Sequence, residues 1–237
     1  MKRIIAGVWK DVVGALQTKG ILVSLLVLLS LSAILATACS VPVTAVGNGA
    51  VIDKQYSFED FTGVEISSGI KYEITQGNYY NVVGAGSQNL IDRMDISQSG
   101  QTLFVTVERG SYRLDEFKVT ITMPELKRLT LEGACIGNVT GFDSLKDFAL
   151  IVDGASRANL AGSTEKAKVQ VTGASRVDGS AFQIQDADIS VDGLSSATIE
   201  VTGVLDATVD GVSTLNYTGN PTLGTIHVDG ISRIVRK

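Results

Sequence analysis

"VQVTGASRV" at residues 169–177 is the stretch that decides the fold, because close copies of it recur along the chain. The copies are ISVDGLSSA at 189–197, ATVDGVSTL at 207–215 and IHVDGISRI at 226–234. Extending the comparison toward the N-terminus gives six equivalent glycines, spaced 18–21 residues apart: Gly133, Gly154, Gly173, Gly193, Gly211 and Gly230. A fixed glycine at a period of roughly 20 residues is typical of a solenoid, in which each repeat forms one coil.

The positions two and four residues before each glycine are apolar in every copy, whereas the position between them is mostly polar. This alternation predicts a strand with one face turned into the core and a turn at the glycine. Equivalent strands can then stack in parallel, about 4.8 Å from one coil to the next. We therefore predict an all-β, parallel β-helix with 18–21 residues per coil.

Two other β architectures fit the pattern less well. A stack of hairpins would need regular two-residue reversals such as Asn-Gly between the units, and the sequence has no such series. The left-handed hexapeptide form is disfavoured because the apolar positions do not recur every six residues. The composition suits short strands joined by tight turns, with 25 Gly, 3 Pro and 6% aromatic residues.

The N-terminal sequence predicts an export signal. Residues 21–35, ILVSLLVLLSLSAIL, are uncharged and follow Lys19. This length matches the apolar part of a signal peptide and is shorter than the roughly 20 apolar residues of a spanning helix. The following LATACS resembles a bacterial lipobox, which predicts lipidation of Cys39, with an uncleaved anchor or ordinary signal cleavage as alternatives.

These patterns divide the chain into four segments. Residues 1–38 are the signal peptide or membrane segment, and residues 39–56 are a linker. Residues 57–125 alternate as longer strands without the period, so they form either the first coils, capping the N-terminal end of the solenoid, or a small sheet packed against it. Residues 126–237 are the repetitive coils.

The segment FTGVEISSGIKYEITQGN at 61–78, QTLFVTV at 101–107 and the glycine repeats from 131 onward together resemble a known family. That family is the "putative auto-transporter adhesin, head GIN domain" group of exported bacterial proteins, and the resemblance covers residues 57–237. It implies a right-handed β-helix and a location in the cell envelope. It implies no catalytic residue, ligand or cofactor.

The residue before each corner glycine is usually acidic, and Asp153, Asp192, Asp210 and Asp229 would stand in one column. Like charges about 4.8 Å apart in water repel by about 1 kcal/mol for each neighbouring pair, so something must offset the repulsion. We favour an Asx turn, in which each carboxylate accepts a hydrogen bond from the backbone N–H two residues on. A row of calcium ions shared between the carboxylates is the alternative.

A second column lies two residues after the glycines, with Cys135 followed by Ser156, Ser175, Ser195, Ser213 and Ser232. The chain has one histidine, His227, which the alternation places on the outer surface, so a repeated Ser-His-Asp site is excluded. We expect the serines to bond to one another or to backbone, and Cys135 to be a plain core residue.

We therefore expect a non-catalytic envelope lipoprotein without a cofactor, acting as an adhesin or as a module that binds glycans or other surface ligands. A structural spacer is the second hypothesis, and a polysaccharide-active enzyme is the third. The expected partners are the membrane, through the N-terminal lipid or apolar segment, and an extracellular glycan or envelope component. The net charge of −5 and the lack of a basic cluster after residue 40 disfavour nucleic acid. The last coil is incomplete, so we expect a monomer or a weak end-to-end dimer.

Overall fold

The computed structural model describes residues 44–112 and 117–237, and most of these residues lie in strands. The first ten strands are β1 Thr44–Ala45, β2 Val51–Tyr56, β3 Gly63–Ile66, β4 Lys71–Gln76, β5 Asn81–Ser87, β6 Met94–Ser99, β7 Thr102–Val107, β8 Ser111–Tyr112, β9 Phe117–Met123 and β10 Arg128–Leu131. The remaining strands are β11 Ile136–Val152, β12 Arg157–Val171, β13 Arg176–Val191, β14 Ser196–Val201, β15 Val204–Val209, β16 Thr214–Thr218, β17 Thr222–Val228 and β18 Arg233–Arg236. Within the described ranges, the helical structure is a single 3-10 turn at Ile91–Arg93.

Parallel strands stack along two faces of the solenoid. The first face leads into the corner glycines and contains, in spatial order, β7, β3, β10, the C-terminal parts of β11, β12 and β13, then β15 and β17. The second face follows the glycines and contains β9, β4, the N-terminal parts of β11, β12 and β13, then β14, β16 and β18. The parallel β-helix is thus confirmed and the hairpin stack is wrong, while the right-handed sense stays a prediction.

The three long strands β11, β12 and β13 connect the two faces. Each runs along the second face, passes an irregularity and continues on the first face of the next coil. Register shifts fall between Val139 and Phe142, between Asn159 and Ala161, and between Gly179 and Gln183. A β-bulge bends its strand and redirects the side chains around it, so these shifts let one strand turn a corner without ending.

The core is a set of inward rows that run the length of the stack. The row two residues before each corner glycine is fully buried from Leu131 through Val209. Larger side chains, among them Phe142, Phe182 and Tyr72, fill the space between the faces. The alternation of the sequence therefore reports the inward and outward sides of each strand correctly.

The N-terminal part of the solenoid does not follow chain order. In space, the coil made by β3 and β4 lies between two other layers. The layer on its N-terminal side consists of β7 and β9, which come later in the chain, and the layer on its other side consists of β10 and β11. Antiparallel strands complete this end, since β6 pairs with β7, and β5 pairs with both β9 and β2. Residues 57–125 therefore contribute parallel coils and an antiparallel cap.

The predicted signal peptide, the membrane segment and the lipidation site at Cys39 lie outside the described residues. In residues 44–112 and 117–237, no helix is both long and apolar enough to cross a lipid bilayer.

Candidate functional site

The six repeat glycines form the corner between the two faces. All of them adopt positive φ, from 68° at Gly230 to 86° at Gly133, a region that residues with a Cβ rarely occupy. The backbones also approach closely, because a Cβ placed on Gly173 would lie 2.4 Å from the carbonyl oxygen of Gly154 in the coil below. The N–H of Ala174 donates to that same oxygen at 2.7 Å. Conformation and contact both require glycine at this corner.

The corner aspartates hold the turn, but not by the predicted Asx bond. The Asp192 carboxylate accepts a hydrogen bond from the N–H of Gly193, one residue on, at 2.6 Å. Asp210 and Asp229 accept the equivalent bonds at 2.6 and 2.7 Å. The N–H two residues on is already used, because Leu194 donates to the Gly173 carbonyl of the coil below. The Asx interpretation is therefore wrong for these residues.

Asp153 belongs to the same column and is stabilised from the neighbouring coil. The Thr172 hydroxyl donates to its carboxylate at 2.6 Å. This bond, followed by one from the Gly154 N–H, holds the pKa of Asp153 below its usual value. Across the described residues, no group of three or more His, Cys, Asp or Glu side chains is arranged to hold a metal ion. The calcium hypothesis for Asp153, Asp192, Asp210 and Asp229 stays a prediction.

The serine column is a buried ladder inside the corner. Ser156, Ser175, Ser195 and Ser213 are at most 2% exposed. Each hydroxyl accepts a hydrogen bond from the backbone N–H one coil earlier, as between the Ser156 N–H and the Ser175 oxygen at 3.3 Å. These serines satisfy buried backbone groups, so they are neither exposed nor free to act as nucleophiles.

Cys135 begins this ladder. Its N–H donates to the Ser156 hydroxyl at 3.1 Å, and its thiol lies 3.2 Å from the Glu132 carbonyl oxygen. The side chain is fully buried, and this burial raises the pKa of the thiol. A buried thiol with a raised pKa is unreactive, which agrees with a core role.

His227 lies at the far end of the solenoid. It is an exposed residue of β17, between the inward positions of Ile226 and Val228. In register it stands above Thr208, and the buried serine ladder lies beyond the corner. The histidine and the serines therefore do not meet.

A depression of about 300 Å³ lies on the second face where the long strands bend, and we call it the polar depression after the polar side chains along its edge. Its lining residues are Asn138, Val139, Thr140, Asn159, Leu160, Ala161, Asp178, Ser180 and Ala181. Asn138, Asn159 and Asp178 are in direct register on consecutive coils, so their outward side chains form one column. The register shifts just after them recess the surface and leave this column at the edge of a hollow.

Hydrogen bonds among the polar residues of the depression hold their side chains in place. The side-chain amide of Asn159 donates to the side-chain oxygen of Asn138 at 2.9 Å, and each of these side-chain amides can form further hydrogen bonds. The Asp178 carboxylate accepts bonds from the Ser180 hydroxyl at 2.6 Å and the Ser180 N–H at 3.1 Å. The hydroxyl, then the N–H and the charge of Arg176 hold the pKa of Asp178 below its usual value. The i to i+2 turn predicted for the corner occurs here instead.

A basic pair borders this column. Arg157 and Arg176 are in register on adjacent coils, two residues before Asn159 and Asp178, and therefore on the same outer surface. The two asparagine amides, the Asp178 carboxylate and the two guanidinium groups thus lie close together on the same outer surface. Our sequence reasoning did not single out these residues, although the column five residues after the corner glycine, with Asn138, Asn159 and Asp178, carries a readable polar signal.

A larger depression of about 370 Å³ lies near the N-terminal end. It is lined by Ser68, Val107, Glu108, Arg109, Gly110, Tyr112 and Phe117. Two of its lining residues, Tyr112 and Phe117, flank in the chain residues 113–116, which lie outside the described residues. The polar depression is the best defined candidate site in the described part of the chain.

Comparison with known proteins agrees with this architecture. The family model described as "Putative auto-transporter adhesin, head GIN domain" matches residues 60–221. A crystal structure from Bacteroides fragilis NCTC 9343, described as a "putative adhesin", is similar with a TM-score of 0.69 and 19% identity, over 81% of this chain and 100% of that chain. A structure from Parabacteroides distasonis ATCC 8503, described as a "putative lipid binding protein", has a TM-score of 0.51 and 16% identity, over 82% of this chain and 99% of that chain.

At these identities the two structures show a shared fold and nothing more. No curated protein matches the chain. The family model, by contrast, covers more than half of the sequence and includes both the N-terminal segment and the repeats that carry the resemblance. The chain belongs to the family of putative auto-transporter adhesins with a head GIN domain.

Proposed function

We propose that this protein is a non-catalytic binding module of the cell envelope that recognises glycans through the polar depression on its second face. Membership of an adhesin-like family supports exposure at the cell surface. The observation that carries the proposal is the in-register column of Asn138, Asn159 and Asp178 at the edge of a recess of about 300 Å³.

The chemistry of the depression suits carbohydrate. Sugar hydroxyls donate and accept, and planar amide and carboxylate groups can bond two neighbouring hydroxyls at once. The aliphatic atoms of Leu160, Ala161 and Ala181 supply apolar contact beside these groups. Because the Asn159 to Asn138 bond and the Ser180 to Asp178 bonds already fix the side chains, little further entropy is lost on binding.

A glycan array with the purified protein, followed by calorimetry on any hit, tests this proposal. Asn159→Ala is expected to weaken binding about tenfold or more, since one well-placed polar side chain contributes on the order of 1.5 kcal/mol. Asn216→Ala is the matched control, because Asn216 occupies the same outward column two coils beyond Asp178 and outside the depression. Equal binding by the two variants would place recognition elsewhere.

The assignment as non-catalytic rests on what the repeated polar residues do. The serine hydroxyls accept hydrogen bonds from backbone N–H groups, and the corner aspartates accept hydrogen bonds that stabilise the turns. A polysaccharide-cleaving enzyme would need paired carboxylates in a groove, and in the depression the acidic lining residue is Asp178. A reducing-sugar assay on any glycan that binds is expected to show no turnover.

A rigid spacer is the second candidate function. The ladders run in parallel register from β10 to β17 on the first face, which favours a stiff rod. The array separates the two functions: retention of any surface glycan supports the binding module, and no retention by wild type supports the spacer.

We also propose that export ends in lipidation of Cys39, which anchors the solenoid to a membrane. The small residues Ala36, Thr37 and Ala38 before the cysteine support this proposal. Labelling with a palmitate analogue should mark wild type and leave Cys39→Ala unmarked, and label that survives the substitution contradicts it. We do not expect a nucleic-acid partner or a bound cofactor.

A further inference from the structure

The C-terminal end of the solenoid exposes side chains that are core residues in every coil below. Ile226 and Val228 of β17 are 38% and 44% exposed, whereas the residues directly beneath them, Ala207 and Val209, are 3% and 0% exposed. Leu223 is 51% exposed, above a fully buried Leu205. Among the described residues, no strand lies beyond β17 or β18. In the described part of the chain, the inward row of this end is therefore not covered by a further coil.

The opposite end of the same stack is closed. There, β6 pairs antiparallel with β7, while β5 and β2 extend the other face. Leu90 and Ile91, at the 3-10 turn between β5 and β6, are 4% and 2% exposed and seal the core. Because this end is capped, it has no exposed inward row onto which β17 of another copy could stack. Head-to-tail stacking of copies is therefore disfavoured.

The two strands at the open end differ in charge. β18 reads RIVR, and Arg236 occupies the inward row above Tyr217. Its guanidinium donates to the backbone carbonyl oxygen of Gly219 and to the side-chain oxygen of Asn220, both at 3.0 Å. An inward charge and flanking cations are devices that block strand pairing. β17 reads TLGTIHV and contains no Asp, Glu, Lys, Arg or Pro. A register shift between Leu223 and Ile226 interrupts this strand, and the regular stretch beyond it, residues 226–228, carries no charge or proline that would block pairing.

We propose that the β17 edge is an interaction surface for a second copy of this chain, joined tail to tail by antiparallel pairing of the two β17 strands about a two-fold axis at His227. Such pairing bonds free edge groups of both strands and sets Ile226 of one copy opposite Val228 of its partner. Because both residues belong to the inward row, this register keeps the apolar face continuous between the copies.

Charge selects the strand and therefore the geometry. Pairing two β18 strands antiparallel would place Arg233 of one copy opposite Arg236 of the other, and like charges directly opposite are destabilising. Two β17 strands meet without such a pair. The contact is isologous, so it closes at two copies and leaves the polar depression of each copy open on its second face. The dimer therefore does not depend on the proposed glycan recognition.

A matched pair of cysteine variants of the full-length protein tests the register. His227→Cys sits on the proposed axis, and Thr208→Cys is the control, because Thr208 occupies the same outward column one coil below the edge. Under mild oxidation, or with a short bifunctional thiol reagent, His227→Cys is expected to give a covalent dimer. Two Thr208→Cys side chains would be separated by two further strand spacings of about 4.8 Å each, too far for a disulfide.

The assembly itself is tested by light scattering on the full-length protein over a range of concentrations. Ile226→Lys is expected to raise the dissociation constant of the dimer roughly tenfold or more, because it places an unpaired charge in the contact. Val51→Lys is the control, since Val51 is a 72% exposed residue of β2 at the capped end. Circular dichroism of both variants verifies that the solenoid remains folded.

A wild-type protein that stays monomeric at all concentrations would overturn the proposal. Three other outcomes would also overturn it. The first is that Val51→Lys weakens self-association as much as Ile226→Lys does. The second is cross-linking of Thr208→Cys as efficient as that of His227→Cys. The third is loss of binding to phospholipid vesicles in Ile226→Lys with no change in the dimer, which would assign the open end to lipid.

Discussion

The corner glycines should tolerate no side chain, and Gly173→Ala tests this requirement. Gly173 has φ of +76°, and an added Cβ would meet the Gly154 carbonyl oxygen at 2.4 Å. The positive φ costs about 1–2 kcal/mol for a residue with a Cβ. Separating the coils to relieve the contact adds about 1–3 kcal/mol of overpacking, and weakening the Ala174 to Gly154 hydrogen bond adds about 1 kcal/mol. We expect a total loss of about 3–6 kcal/mol in the free energy of unfolding.

Gly100→Ala is the matched control for the conformational part of this loss. Gly100 lies in the turn between β6 and β7 with φ of +57°, and a Cβ there would meet nothing within 4 Å. It should lose about 1–2 kcal/mol, from the backbone alone. The difference between the two variants, about 2–4 kcal/mol, is the contribution of close coil stacking.

Urea unfolding followed by circular dichroism measures both variants. With a slope of about 2 kcal/mol per molar urea, the midpoint of Gly173→Ala should fall about 1–2 M below that of Gly100→Ala. Hydrogen exchange should show the extra loss centred on the corner of β12 and β13, since coils interact chiefly with their neighbours. Equal midpoints for the two variants would refute the argument that backbone contact, and not φ alone, fixes glycine at the corner.

Three further predictions concern the other columns. Ser175→Ala should lose about 1–3 kcal/mol because it leaves the buried Ser156 N–H without its acceptor, and Ser175→Cys should lose less, as judged by urea midpoints. Thr172→Val should lose less than about 1 kcal/mol at pH 7, since the bond to Asp153 is exposed. A pKa lowered by folding contributes stability above the unfolded value of about 3.9 and loses it as pH falls through the folded value, so melts of Thr172→Val and wild type should converge in acid. Chelation of calcium should leave the melting temperature unchanged, because the corner carboxylates accept N–H bonds, and a large drop would support the calcium hypothesis instead.

The repetitive half of the fold could be predicted because each coil repeats the same physical requirements. A glycine at the corner, an apolar residue two positions before it and a small polar residue two positions after it recur because every coil stacks on an identical backbone. Six copies of one pattern make even single exceptions interpretable: Cys135 starts the serine ladder directly above Ile70, where the inner row changes from apolar to polar.

The N-terminal half could not be predicted to the same degree, because its order in space departs from its order in the chain. β3 pairs with β7 and β4 pairs with β9, both from later parts of the sequence, and the cap is antiparallel. With one copy of each element, no period marks this arrangement. Both alternatives for residues 57–125 were therefore compatible with the strand pattern.

The error at the corner aspartates has a specific physical cause. In an isolated turn, the N–H two residues after an aspartate is free to bond its carboxylate. In this solenoid that N–H donates instead to the coil below, as the N–H of Leu194 does to the carbonyl oxygen of Gly173. Asp192 consequently turns to the nearest N–H, that of Gly193. Local turn chemistry predicted the right residue type and the wrong donor because stacking has priority over the turn.

This priority also indicates where ligand specificity can vary. The inward rows, the corner glycines and the serine ladder are all engaged in holding one coil on another, so a change there costs stability in two coils at once. The outward side chains of Asn138, Asn159 and Asp178 lie on the same strands but take no part in the backbone hydrogen bonds between coils. Substitution in that column can therefore alter what the surface binds at little cost to the fold, which is the condition that a recognition site on a solenoid requires.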